Sequence, residues 1–274
     1  MSTLKRLAIT SLTTLALLYG LKPPSSEVSL AQTRNSPDRG DLMVRYEPPK
    51  HNRYRRIYRI LQQTAFYDEL VADLNASFSF PRNIRIVFDQ CDEPNAFYDP
   101  ETVEIIMCYE LIKYYADITH REFQEDYALE VIYAGFFTFY HELGHAMIDQ
   151  YQLTITGQEE DAVDEFAAIL LIDAQEYDAV IAGMDQFDID AIEEAELGEE
   201  LVYWGEHSFS DQRFYNTACL IYGSAPDEFS DWVYDEDNSW DEDAFLPVER
   251  AEICEADYQR ALTSWERLLA PYLK

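Results

Sequence analysis

Apolar residues return every three or four positions along much of the chain, which is the spacing of one face of an α-helix. Over residues 54–74 this spacing predicts the helix that opens the folded region. It predicts four more helices in the C-terminal half: 158–174, 189–204, 210–222 and 250–269. The longest helical stretch, 123–151, is strongly apolar, and its polar residues cluster around His141. We therefore expect a buried, central helix there.

Extended segments lie between the first helix and the central one. Apolar residues alternate with other side chains over 84–88, which predicts a strand. Segments 95–98 and 103–108 flank the sequence DPET at 99–102, where proline holds the second position of a turn. These two segments predict a β-hairpin. Together the patterns predict a mostly helical α+β fold, with a small antiparallel sheet or hairpin beside the central helix.

The N-terminus has the features of an export signal. Lys5 and Arg6 precede an apolar run over 7–21, and a cleavage site with small residues at 29 and 31 follows. The run is shorter than the roughly 20 residues that a membrane span needs. We predict three segments: a signal peptide over 1–31, a flexible linker over 32–52 and one folded domain over 53–274. The mature protein should then be periplasmic or secreted and have no stable membrane span, with an uncleaved N-terminal anchor as the alternative.

Four cysteines form an even set in a chain that carries an export signal, which favours disulfides. Three pairings are possible. Cys91 and Cys108 lie at the two ends of the predicted hairpin region, and Cys219 and Cys254 both fall in the C-terminal part, so we predict these two local pairs. Zinc binding by the thiols is less favoured because no CxxC pair occurs.

The chain is strongly acidic, with 53 acidic against 20 basic side chains and a formal net charge of −33. This charge argues against binding to nucleic acids or to anionic membranes. We therefore expect partners that are neutral or cationic. The alternative is that the acidity only keeps an exported protein soluble.

The sequence HELGH at 141–145 indicates a metal site. Two histidines four residues apart lie on one helix face, so both imidazoles can hold the same ion. Glu142 lies about 100° around the helix from His141, where it can reach a metal-activated water without being a ligand. The pattern predicts one catalytic zinc ion, with His141 and His145 as ligands and Glu142 as the general base. Histidine pairs also occur in ordinary cores, and another divalent metal is an alternative to zinc.

A catalytic zinc site needs a third protein ligand. Thr156 and Glu159 have the spacing of a capping box, which would hold the Glu159 carboxylate at the start of a helix. Glu160 is then the best candidate ligand. Asp164, one turn later on the same face, is expected to accept the second N–H of one of the histidine ligands. The alternative is that both acids belong to a solvated helix face.

These motifs resemble those of known metallopeptidases. The HELGH helix followed by a Glu-xxx-Asp helix is similar to the gluzincin pattern of thermolysin-like peptidases. The second helix also resembles a segment of the anti-repressor and radiation-response metallopeptidases. The resemblance is closer to an uncharacterised bacterial family described as putative metallopeptidases, in these segments: 91–109, 141–149, 157–171, 207–223 and 250–258. It implies a zincin-like fold, a bound zinc ion and peptidase activity on a peptide or protein, but it names no substrate.

Zincins use an edge strand that lines the cleft and pairs with the substrate backbone. Asn95, Ala96, Phe97 and Tyr98 resemble that strand, so the resemblance implies that they bind substrate. The alternative is an ordinary hairpin strand held in place by a disulfide.

His207 lies in a segment rich in polar and aromatic groups, close in sequence to Asp211 and Arg213. It is a candidate catalytic residue that donates a hydrogen bond to the tetrahedral oxyanion. The alternative is a histidine that only precedes a helix, with Ser208 or Ser210 as the cap.

Two other function classes stay open. A non-catalytic zinc protein that binds peptides outside the cytoplasm would keep the metal without turning over a substrate. An interaction protein with an acidic surface would show strong salt dependence and no response to chelators. The oligomeric state and the cleavage preference do not follow from the sequence.

Overall fold

The computed structural model describes residues 38–122, 127–197, 203–235 and 244–274. The predicted signal peptide, residues 1–31, lies outside these ranges, and so do the first residues of the predicted linker. Of the helices within the described ranges, none combines the length and the apolar character that a bilayer crossing requires.

Helices make up most of the described chain. They are α1 Arg55–Thr64, α2 Phe66–Ser77, α3 Tyr109–Glu122, α4 Tyr127–Tyr151, α5 Glu159–Asp173, α6 Tyr177–Leu197, α7 Ser210–Ser224 and α8 Val248–Leu269. The strands are short: β1 Leu42–Tyr46, β2 Ile84–Asp89, β3 Ala96–Asp99, β4 Glu104–Cys108, β5 Val233–Tyr234 and β6 Leu246–Pro247. The predicted fold class, mostly helical α+β with a small sheet, is confirmed.

The main sheet has four strands in the order β1, β2, β4, β3. The predicted hairpin of β3 and β4 is antiparallel, whereas β1 and β4 both pair with β2 in parallel, so the whole sheet is mixed. The predicted linker over 32–52 is wrong over Leu42–Tyr46, since these residues form β1. This strand is only 5 residues long and lies in a polar segment, so its alternation gives little periodic signal.

Three regions differ from the helices that the periodicity predicts. The helix over 54–74 is two helices, because Ala65 has a left-handed backbone with φ of 53° and ends α1. The apolar spacing continues across the break because both helices pack on the same core. The tyrosine-rich α3 was not predicted, and α6 begins well before residue 189.

α4 occupies the central position that its apolar sequence predicts. It packs against α3, α5, α6 and the hairpin of β3 and β4. Phe139, Leu143 and Met147 of this helix are fully buried. Burial of each such side chain contributes roughly 1.5–3 kcal/mol to stability. The helix that carries the HELGH sequence is therefore held firmly on several sides.

Both predicted disulfides are confirmed. Cys91 is bonded to Cys108 and braces the hairpin, because it joins the loop before β3 to the last residue of β4. Cys219 is bonded to Cys254 and joins α7 to α8. Both bonds stabilise the fold mainly by restricting the unfolded chain.

Candidate metal centre and cleft

α4 presents His141 and His145 on one face. The centroids of their rings are 5.1 Å apart, which is the distance of one helical turn. His141 is 8% exposed, and Glu142 beside it is 6% exposed. Charged and polar side chains are seldom buried to this extent without partners. The contacts of these three side chains therefore decide what the site can do.

Gly144, between the two histidines, allows α5 to lie close to α4. A Cβ at this position would be 2.8 Å from Cγ1 of Val163 and 3.1 Å from Cδ1 of Phe166. Only glycine fits here without a shift of α5. The close approach places the acidic first turn of α5 next to the imidazoles.

Glu160 of α5 faces both imidazoles. Its Oε2 lies 3.2 Å from Nε2 of His141, and its Oε1 lies 3.4 Å from Nε2 of His145. One ligand atom from each of the three side chains lies within 4.8 Å of the other two. A metal ion bonded to each atom at about 2 Å fits a group of this size.

A carboxylate contacts the second ring nitrogen of each histidine. Nδ1 of His141 lies 2.7 Å from Oδ1 of Asp164, and Nδ1 of His145 lies 2.8 Å from Oε1 of Glu159. Because a carboxylate can only accept a hydrogen bond, both Nδ1 atoms carry a proton and donate it. In the neutral rings each Nε2 then keeps its lone pair on the side of Glu160, which is the state that a metal ligand needs.

The capping box predicted from Thr156 and Glu159 is wrong. Gln158 is the N-cap of α5, and it makes no capping hydrogen bond with its side chain. Glu159 contacts His145 instead of its own helix start. A tertiary contact with the neighbouring helix has replaced the local one.

Oε2 of Glu160 is buried and has no hydrogen-bond partner among the described residues. Nε2 of His141 and Nε2 of His207 lie 3.2 and 2.9 Å away, but neither contact has the geometry of a hydrogen bond. A buried oxygen without a donor costs free energy. A divalent cation between these atoms would remove that cost. The residues present therefore fit a metal ion.

The pKa values show how strongly this cluster attracts positive charge. Burial alone would lower the pKa of His141, but its contacts with Asp164 and Glu160 outweigh burial and raise the pKa to about 9. Burial is likewise outweighed at His145, where Glu160 and Glu159 raise the pKa. The pKa of Glu160 lies well below its ordinary value, because the neighbouring imidazoles overcome the effect of burial. A metal ion at this position would meet the same attraction.

Glu142 lines the cleft beside the three candidate ligands and is not one of the group. Burial raises the pKa of its carboxyl group, and the charges of His141 and His145 oppose this rise in part. The backbone N–H of Tyr98 is close enough to favour the charged form of the carboxylate. Glu142 is thus held between β3 and the imidazoles, where it can exchange a proton with a molecule in the cleft.

β3 presents an open edge of the sheet. The N–H of Cys108 donates to the carbonyl of Asn95, so Asn95 and, two residues on, Phe97 direct their backbone groups toward β4. The backbone groups of Ala96 and Tyr98 therefore face the open side. Because the Tyr98 N–H faces Glu142, the N–H and C=O of Ala96 are the pair directed at an extended ligand.

A cleft of about 690 Å³ lies between β3 and the two helices α4 and α5. Its lining includes the predicted ligand, catalytic and substrate-binding residues: 95–98, His141, Glu142, His145, Glu160 and His207.

The rest of the lining gives the cleft its chemical character. Ile148 and Leu153 add apolar surface, and Asp149 and Glu159 add negative charge. Within the described part of the chain, no lysine or arginine lines the cleft. Asp164 does not line it either and contacts the site through His141.

His207 lies at the cleft with its Nε2 2.9 Å from Oε2 of Glu160. Its side chain is 53% exposed, so it borders solvent. The serines proposed as caps bond elsewhere: Ser208 donates to Asp161, and Ser210 donates to Glu194. The structure thus brings His207 to the candidate ligands and leaves the serine caps unformed.

Two further side chains in the site were not predicted. Arg213 donates from Nε and Nη2 to the two carboxylate oxygens of Asp164, at 2.7 and 2.9 Å. These residues are 49 positions apart, and no local pattern links them. Asp149 accepts a hydrogen bond from Oη of Tyr98 at 2.7 Å. Its place four residues after His145, on the same helix face, is a signal that could have placed it at the cleft.

Comparison with known proteins supports the resemblance to the uncharacterised putative metallopeptidase family. A family model described as "Putative metallopeptidase" matches residues 46–269, which is most of the chain. No match was found among curated proteins or among solved structures.

Proposed function

The chain belongs to the "putative metallopeptidase" family, and we propose that it is a zinc-dependent peptidase of the gluzincin type with Glu142 as general base. One observation carries this proposal. Two imidazole nitrogens and a partly buried carboxylate lie within 4.8 Å of one another, in the wall of a cleft that has room for a peptide. Two histidines and one glutamate are a ligand set that zinc hydrolases use.

In this proposal His141, His145 and Glu160 hold the metal ion. Asp164 and Glu159 keep the two imidazoles in the orientation and tautomer that a ligand needs. Three protein ligands leave a further coordination position open. When bound, zinc would supply Lewis-acid chemistry, because it lowers the pKa of a water molecule and polarises a carbonyl group.

Glu142 moves the proton. Its carboxylate takes a proton from the attacking water while the water oxygen bonds to the peptide carbonyl carbon. The same proton then passes to the leaving nitrogen as the C–N bond breaks, which yields a carboxylic acid and an amine. Burial raises the pKa of Glu142 and makes it a stronger base than an exposed carboxylate. The nearby N–H of Tyr98 favours the charged form of this carboxylate in the cleft.

The substrate is expected to lie extended along β3. The N–H and C=O of Ala96 would pair with the backbone of one substrate residue. Asp149 and Glu159 make the cleft negative, and no lysine or arginine lines it in the described residues. Neutral and cationic peptides should therefore be favoured over acidic ones.

His207 has a supporting role in this mechanism. Its Nε2 is close to Glu160, and its exposed side chain can turn toward a substrate oxygen. A donor at this position would stabilise the negative charge that develops on the carbonyl oxygen. We propose that it does so as the second source of stabilisation beside the metal ion.

We further propose that the protein acts outside the cytoplasm. Its two disulfides are typical of oxidising compartments, where such bonds persist. Residues 1–31 have the charged start, apolar run and small-residue site of an export signal.

Metal analysis of the purified mature protein, combined with a peptide-library digest with and without a chelator, tests the proposal. We expect about one zinc ion per chain and cleavage that the chelator abolishes. Glu142→Gln should keep the metal and lose turnover by several orders of magnitude, since amide cannot accept the proton. Glu101→Gln, in the exposed turn between β3 and β4, is the matched control and should cleave as the wild type does.

The outcomes separate the function classes. Unchanged turnover in Glu142→Gln would eliminate the mechanism. Bound metal without any cleavage would favour a zinc-containing protein that only binds peptides. Absence of metal, together with salt-dependent binding to cationic proteins, would favour an acidic interaction protein.

A further inference from the structure

We propose that Arg213 is a positioning residue for the metal centre: from α7, it holds Asp164 in the orientation that fixes His141. The inference rests on the proposed zinc site and extends it, because it gives α6 and α7 a part in metal binding. Apart from the exposed His207, which precedes α7, the candidate ligands and the base come from α4 and α5.

The guanidinium group of Arg213 donates hydrogen bonds to both carboxylate oxygens of Asp164. Nε lies 2.7 Å from Oδ2, and Nη2 lies 2.9 Å from Oδ1. Oδ1 is also the atom that accepts the hydrogen bond from Nδ1 of His141, at 2.7 Å. Two parallel bonds fix the plane of a carboxylate as well as its position. Arg213 thereby determines the direction in which Oδ1 of Asp164 accepts its hydrogen bond. Asp164 in turn orients the His141 ring.

Arg213 is itself held in place from a fourth helix. Its guanidinium carbon lies 4.0 Å from the centre of the Phe187 ring of α6. The Phe187 ring is buried and packs edge-on against Phe137 of α4 at 5.7 Å. Contacts therefore run from α6 through α7 and α5 to the imidazole on α4. A cation on an aromatic face away from water is stabilised by the negative charge density of the ring face.

Arg213 does not line the catalytic cleft. It lines a smaller cavity of about 200 Å³, together with Arg250 and Asp257. Its side chain is 15% exposed, so it is not placed to touch a substrate in the cleft. Its effect must therefore pass through Asp164 and His141, which makes it a positioning residue rather than a catalytic one.

The positive charge of Arg213 matters as much as the geometry of its two hydrogen bonds. Asp164 is 7% exposed, and an ionised carboxylate at that depth needs a compensating charge. Without the guanidinium group, Asp164 would keep, among the described residues, only the imidazole as a hydrogen-bond partner, and the plane of its carboxylate would no longer be fixed.

The affinity for zinc in three variants tests this inference. Arg213→Met removes both the positive charge and the two parallel hydrogen bonds. Arg213→Lys keeps the charge but not the two parallel bonds. Arg250→Met is the matched control, because Arg250 also pairs with a carboxylate at this cavity but has no contact with the histidines. Competition with a chromophoric chelator gives the dissociation constant, and thermal unfolding of the metal-free proteins gives their stability.

We expect Arg213→Met to bind zinc about 10–100-fold more weakly, as removal of other outer-sphere partners does. Arg213→Lys should lie between Met and the wild type, and Arg250→Met should bind within about twofold of the wild type. If Arg213→Met only lowers the unfolding temperature and keeps the wild-type zinc affinity, the residue is merely structural and the inference is overturned.

The inference can still be tested if Arg213→Met does not fold. In that case Arg213→Lys and Phe187→Leu are measured instead, because each should weaken zinc binding several-fold while the chain stays folded. Wild-type affinity in both would overturn the inference. A wild-type protein that binds no zinc would overturn the proposed function itself, which is a distinguishable result.

Discussion

Gly144→Ala tests how closely α5 must approach α4. The new Cβ would lie 2.8 Å from Cγ1 and 2.9 Å from Cβ of Val163, and 3.1 Å from Cδ1 of Phe166. Unstrained carbon contacts need roughly 3.5–4.0 Å. Overpacking of this kind costs about 1–3 kcal/mol, whereas alanine gains about 1 kcal/mol over glycine inside a helix. We expect a net loss of about 1 kcal/mol in the free energy of unfolding.

The effect on metal binding should be larger than the effect on stability. Relief of the contact requires α5 to move outward by roughly 0.7 Å, and Glu160 moves with it. Metal sites tolerate only about 0.2 Å of change in ligand distance. We therefore expect the zinc affinity of Gly144→Ala to fall about tenfold or more.

Chelator competition and urea unfolding of the metal-free protein measure the two effects. Gly157→Ala is the matched control, because nothing lies within 4 Å of a Cβ at that loop position. Its zinc affinity should match that of the wild type. If Gly144→Ala binds zinc as tightly as the wild type and gains stability, the close approach of the helices does not position Glu160, and the reasoning fails.

Three further predictions concern other parts of the protein. Tyr98→Phe removes the hydrogen bond to Asp149 that ties β3 to α4, and urea unfolding should show a loss of about 1–2 kcal/mol. Burial and then Glu130 raise the pKa of Asp185 from 3.8 to about 6. Its ionisation therefore destabilises the fold as pH rises through 6, so Asp185→Asn should be about 2 kcal/mol more stable at pH 8 and equal to the wild type at pH 3.5. Removal of zinc present at 100 times its dissociation constant should cost about 2.7 kcal/mol, visible as a lower unfolding temperature.

The parts of the site that are close together in sequence could be predicted from it. His141 and His145 are one helical turn apart, so their shared face follows from helix geometry alone. The same rule places Glu160 and Asp164 on one face of the next helix. Both disulfides join cysteines within one local region, and that locality was enough to pair them.

Contacts between distant segments could not be predicted in this way. β1 pairs in parallel with β2 across two helices, and no turn signal announces such a pairing. Arg213 meets Asp164 only because α7 packs against α5. Glu159 had two possible partners, its own helix start and His145, and only the spacing of α4 and α5 at Gly144 decides between them.

The balance of charge explains why these contacts belong together. Four carboxylates surround the two imidazoles, those of Glu142, Glu159, Glu160 and Asp164, and within the described ranges a single guanidinium group faces them. Bringing so many acids together is unfavourable, especially in a chain with a net charge of −33. Arg213 compensates only the acid farthest from the cleft, so the negative charge that is left faces the cleft. A divalent ion at the imidazole nitrogens would compensate that remaining charge, and a fold that neutralised these acids with further arginines would have no need of a metal.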